Sequence, residues 1–98
     1  MARKIVWTDQ AISDLTEISA FIERDSPSIA ALVCSRIVDR AEQASEFPFS
    51  GRNVAGSNEE NLRELFWKSY RLIYRVHTEK IVILTVIHGS RLLDEKKS

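Results

Sequence analysis

Apolar and polar positions alternate from Tyr70 to Val76, and the residues that break the apolar rhythm are arginines. A strand there puts Arg71, Ile73 and Arg75 on one face and Tyr70, Leu72, Tyr74 and Val76 on the other. His77-Thr78-Glu79 is short enough for a hairpin turn, and Lys80–His88 follows as a second strand, apolar on both faces. A third strand, Leu62–Trp67, precedes the pair across Lys68-Ser69. These three strands are expected to form an antiparallel meander. The last, apolar on both sides, should lie inside the sheet with helices on one face and the N-terminal strand at its other edge.

Upstream the period changes. Arg3–Trp7 reads as a short strand with Ile5 and Trp7 on one face. Thr8 or Asp9 then caps a helix. Ala11, Ile12, Leu15, Ile18, Phe21 and Ile22 recur along it at helical spacing, and it ends near Asp25. Ser26-Pro27 restarts a second helix, since serine suits the cap and proline the first helical position. Its stripe is Ala30, Val33, Cys34, Ile37, Val38, Ala41 and Ala44. Phe47-Pro48-Phe49-Ser50-Gly51-Arg52 ends it, and Asn53–Asn61 reads as a polar loop. The order is β-α-α-β-β-β, an α+β fold of two layers in which a helical hairpin packs on a meander sheet. The 98 residues suit a single domain spanning 1–98, with 90–98 a polar, flexible tail.

Charge divides the chain. Formal net charge is zero, yet residues 9–46 hold eight acids against three arginines, a local −5, while 62–91 hold six cations against two acids, a local +4. A polarised surface fits this better than an all-round nucleic-acid binder. No apolar run approaches the roughly 20 residues that span a bilayer, so no membrane partner is expected. The lone Cys34 has no internal disulfide partner and fits a small buried residue in a reducing cytoplasm.

Chemistry-bearing motifs are few. No phosphate loop, zinc spacing or nucleophile elbow is present, and His77 and His88 lie eleven apart with nothing to complete a metal site. No cofactor or metal is expected. The candidates are Arg63, Tyr70, Arg71, Arg75, His88 and Arg91, with Glu64 beside them. Arg63 neighbours Arg71 across the sheet, and both are expected on its open face. Cutting RNA through its 2′-hydroxyl needs a base, an acid and cations on the phosphate. His88 could serve as base or acid, and Arg63, Arg71 and Arg91 could grip phosphate. Against this stands a plainer reading, in which the arginines pair with Glu64 or Glu79 across strands.

The stretches "IVWTDQAISDLTEISAFIERDSPSIA", "FPFSGR", "LRELFWKSYRLIYRV" and "IVILTVIHGSR" together resemble the RelE/ParE superfamily of type II toxin–antitoxin toxins. The resemblance implies the same β-α-α-β-β-β fold and a growth-inhibiting toxin silenced by a cognate antitoxin. ParE-like members poison DNA gyrase, and RelE-like members cleave mRNA on the ribosome. Arg63 and Arg71 match strand arginines with which the ribonuclease branch holds phosphate. However, that branch also uses lysines before the first meander strand and a tail tyrosine or histidine. Gly56–Asn61 has no lysine, and Leu92–Ser98 has neither tyrosine nor histidine. A pI near 6.7 also suits a ribosome binder poorly. The gyrase branch is therefore favoured, with the mRNA endoribonuclease as alternative and an inactive binding module as a third reading. An antitoxin segment could add a strand to a sheet edge or lay a helix in a groove. Its acids could then neutralise Arg71, Arg75 or Arg91.

Overall fold

A computed structural model describes residues 2–88 of the chain. The elements are β1 (Lys4–Trp7), α1 (Asp9–Glu23), α2 (Pro27–Glu46), β2 (Arg52–Asn53), β3 (Leu62–Trp67), β4 (Tyr70–Val76) and β5 (Lys80–His88). One five-stranded sheet runs in the order β1-β5-β4-β3-β2. β1 pairs with β5 in parallel, and the other pairings are antiparallel. The α+β architecture and the β3–β4–β5 meander match the sequence pattern, and β5 is internal as expected.

Local chemistry sets the helix starts. The Thr8 hydroxyl accepts the Ala11 N–H at 3.0 Å, so Thr8 is the cap and Asp9 falls in the first turn, where a carboxylate favours the helix dipole. Ser26 accepts the Ile29 N–H at 3.2 Å, with Pro27 opening α2. Alanines let α2 lie close to the sheet: Ala30, Ala41 and Ala44 are buried, with Val33 and Ile37 between them. They meet Leu65, Leu72, Tyr74, Val76, Ile81, Ile83 and Val86 from the sheet. Each valine, leucine or isoleucine among them contributes about 1.5–3 kcal/mol when removed from water.

Two expectations need correction. The loop after α2 contains β2, whose Arg52 and Asn53 pair with Glu64 and Arg63. A two-residue edge strand is too short to show an alternation. The α1 stripe is also wider than the surface it covers: Ile12 and Phe21 are 51% and 71% exposed. Ala11, Leu15, Ile18 and Ile22 do the packing, and the two outliers flank the seam.

Between β2 and α2, Pro48–Ser50 form one 3₁₀ turn. The Tyr74 hydroxyl, fully buried, donates to the Pro48 carbonyl at 2.6 Å. Burial pushes the Tyr74 pKa above its ordinary value of 10.0, against the opposing pull of the Gly51 backbone and the Arg63 charge. Gly51 is required here by space. A Cβ on it would stand 2.5 Å from the Tyr74 hydroxyl and 2.7 Å from the Glu64 carbonyl.

Candidate functional site

Strand β4 sorts its side chains as alternation demands. Leu72, Tyr74 and Val76 enter the core, while Arg71, Ile73 and Arg75 stand on the face away from the helices. Cross-strand partners on that outer face are Phe66 for Arg71, Glu64 for Ile73 and Leu62 for Arg75. Glu64 thus sits diagonal to Arg71, within reach of a long side chain. Its Oε1 accepts Arg71 Nη2 at 2.6 Å and Nε at 3.1 Å, and its Oε2 accepts Arg52 Nε at 2.8 Å. The Glu64 side chain has no exposed surface, and that of Arg71 is 11% exposed. Phe66 lies under both guanidiniums, with ring centroids 4.8 Å from Arg52 and 5.8 Å from Arg71. The result is a two-arginine, one-carboxylate cluster with one net positive charge. Arg75 is paired as well, to Glu59. Pairing across strands was one of the two sequence readings, and Glu64 is the acid that realises it.

Arg63 is not on this face. The two-residue Lys68-Ser69 turn pairs it with Tyr74, so it shares the helix side of the sheet. There its Nε donates to the Glu60 carbonyl at 2.7 Å and its Nη1 to the Gly51 carbonyl at 3.1 Å, with its guanidinium over Phe49. These contacts tie the β2–β3 edge together. The expectation that Arg63 and Arg71 point the same way is overturned by register.

His88 also lies away from Arg71. It is opposite Tyr70, and their rings meet edge to face at 5.2 Å. Tyr70 in turn stacks on Trp67 at 6.5 Å. This aromatic row ends at an open cleft of about 730 Å³ between α1 and the ends of β4 and β5. Glu17, Ile18, Phe21, Tyr70 and His88 line it. Sequence reasoning did not find the cleft, although the surplus width of the α1 stripe at Phe21 was its signal. Arg91 lies outside the described residues. Among the described residues no His, Cys, Asp or Glu cluster could hold a metal, and no helix is long and apolar enough to cross a membrane.

The sheet therefore carries its arginines already partnered, and it holds Arg71 and His88 on opposite faces. Residues 5–93 match the family described as the ParE toxin of the type II toxin–antitoxin system parDE. The chain belongs to the ParE toxin family. Similarity to individual proteins agrees. The chain is 38% identical over 92 residues to the protein Y4kP of Sinorhizobium fredii, covering 91% of this chain and 92% of that one. It is 32% identical over 90 residues to Toxin RelE2 of Caulobacter vibrioides, covering 91% and 98%. A solved chain of the chromosomal ParDE system from P. aeruginosa has the same fold, with a TM-score of 0.73 at 21% identity over 91% of this chain and 98% of that one. A chain of the RelBE2 toxin–antitoxin complex from Mycobacterium tuberculosis reaches 0.64 at 27% identity over 90% and 92%. As a ParE-family member the chain is a type II toxin of the RelE/ParE superfamily, in line with the sequence resemblance.

Proposed function

We propose that this toxin arrests growth in the cytoplasm by ParE-like action on DNA gyrase and is silenced by a cognate antitoxin. The observation that carries the first half is the Arg71–Glu64 pair. A guanidinium held on a buried carboxylate and backed by Phe66 is poorly placed to take a phosphate. His88, the candidate acid or base of the sequence reading, is on the other face from Arg71. Cutting RNA through its 2′-hydroxyl needs a base, an acid and cations on the phosphate at one place. A binding toxin has no such requirement. Arg52, Phe66, Phe47 and Phe49 are of residue types enriched at protein interfaces, and the three phenylalanines are exposed.

The antitoxin half rests on family membership and on the RelBE2 relative, which was solved as a complex with its antitoxin. Arg52 and Arg75, both more exposed than Arg71, would meet acids of such a partner, whereas Arg91 lies outside the described residues.

A second reading, ribosome-dependent mRNA cleavage, draws on the 32% identity to Toxin RelE2. Expression in a host carrying a reporter plasmid separates the two. Growth arrest with relaxed plasmid and intact mRNA supports gyrase action. Arrest with cleaved mRNA and normal supercoiling supports the nuclease. Unimpaired growth leaves only a binding module.

A further inference from the structure

Strand β5 changes face part-way along. Ile81 and Ile83 pair with Val76 and Tyr74 and point into the core. Continued alternation would bring Thr85 and Ile87 inward and turn Val86 and His88 out beside Arg71. The register instead steps between Ile73 and Tyr74, leaving Leu84 without a partner. Beyond this bulge Leu72 faces Val86, Arg71 faces Ile87 and Tyr70 faces His88. One extra residue is thus what separates the imidazole from the arginine.

The bulge is gripped from α1. A bulge leaves backbone groups outside the ladder, and here Asp14 Oδ2 accepts the Val86 N–H at 3.1 Å and also the Thr85 hydroxyl. Gln10 Nε2 donates to the other carboxylate oxygen at 2.8 Å and steadies it. At the helix cap, Thr8 N–H donates to the Ile83 carbonyl at 3.1 Å, and the Thr8 hydroxyl lies 2.9 Å from that carbonyl and 3.1 Å from that of Leu84. The Val86 N–H, the Thr85 hydroxyl and the Leu84 carbonyl at the irregularity are thus met by α1 or its cap. The carboxylate bonds are the charge-assisted, stronger ones.

We propose that Asp14 is a positioning residue that locks the Leu84 bulge and so determines the face of the sheet on which His88 stands. Asp14 acts through the strand. Without it, Val86 N–H and Thr85 lose their acceptor, and the unbulged ladder, in which Leu72 faces Thr85 and Arg71 faces Val86, gains population. In that register the imidazole joins the arginine face. The functional weight of the lock rests on the gyrase reading above, in which the arginine face works without an imidazole. The lock itself does not depend on that reading.

Cross-strand backbone NOEs on the full chain test it. Wild type is expected to connect Leu72 with Val86 alone, and Asp14→Ala to add a second set connecting Leu72 with Thr85 and Arg71 with Val86. A folded Asp14→Ala protein showing only the wild-type set would overturn the proposal. Asp14→Asn, which keeps a neutral acceptor, covers the case in which the alanine variant does not fold. It is expected to retain the wild-type NOEs while the Val86 amide exchanges about tenfold faster, the charge assistance being lost. Unchanged Val86 exchange in that variant would refute the lock equally. Neither readout involves gyrase, so failure here and failure of the proposed function are separable.

Discussion

Arg71 Nη2 lies 2.6 Å from Glu64 Oε1, and the carboxylate that receives it has no exposed surface. This pair converts an arginine that reads as an anion ligand into part of the sheet's own structure. The same carboxylate holds Arg52, whose side chain is 67% exposed. The two ion pairs are therefore unequal, because solvent screens the outer one and barely reaches the inner one.

Glu64→Gln is expected to cost about 2–4 kcal/mol, because it leaves Arg71 without its counter-charge. Arg52→Ala should cost about 0.2–1 kcal/mol, the range of exposed pairs. Urea unfolding of the two variants checks the order. Equal losses would show that burial does not set the strength of the cluster.

Gly51→Ala should destabilise by about 1–3 kcal/mol through overpacking against Tyr74 and the β3 backbone. The Gly51 backbone is extended, at φ −75° and ψ 156°, so the cost is steric and not conformational. In a Tyr74→Phe background the loss should shrink, since the hydroxyl nearest the added methyl is gone. Thermal melts of the single and double variants measure this coupling.

Alkaline stability should depend on Tyr74. Its folded pKa is raised above the unfolded value, so the stability it contributes is present in full below pH 10.0 and is lost as pH rises toward the folded pKa. Tyr74→Phe should cost about 1–2 kcal/mol at neutral pH by leaving the Pro48 carbonyl without its donor. That gap should narrow above pH 10.0. A gap that is constant to high pH in denaturant titrations would contradict the burial argument.

At the β3–β4 turn, Lys68 has φ +51°, a left-handed conformation that a lysine adopts at a cost. Lys68→Gly is expected to stabilise the protein by about 0.5 kcal/mol, the relief of strain exceeding glycine's extra unfolded entropy. Calorimetry should show a small rise in Tm.

Much of this molecule was legible in the chain because local rules sufficed. Thr8, Ser26 and Pro27 mark helix starts through their own hydrogen bonding and geometry. The Leu72-Tyr74-Val76 alternation identifies the buried face of β4. What was missed depends on register. Arg63 was placed with Arg71, yet a two-residue turn pairs position 63 with 74, so counting across Lys68-Ser69 would have shown the opposite face. His88 required knowledge of the Leu84 bulge, where Val86 is bonded to Asp14, some seventy residues away in sequence. The cleft beside Phe21 arises between α1 and β5, and neither segment alone encodes it.

On the proposal above, this ParE-family chain inhibits gyrase and does not cut RNA. The decisive assay is supercoiling of relaxed plasmid by purified gyrase, with the purified toxin added at micromolar concentration. The expected result is loss of supercoiling for wild type, with His88→Ala equally inhibitory, while mRNA on programmed ribosomes stays intact. Undiminished supercoiling, together with ribosome-dependent cleavage that Arg71→Ala or His88→Ala abolishes, would contradict the account.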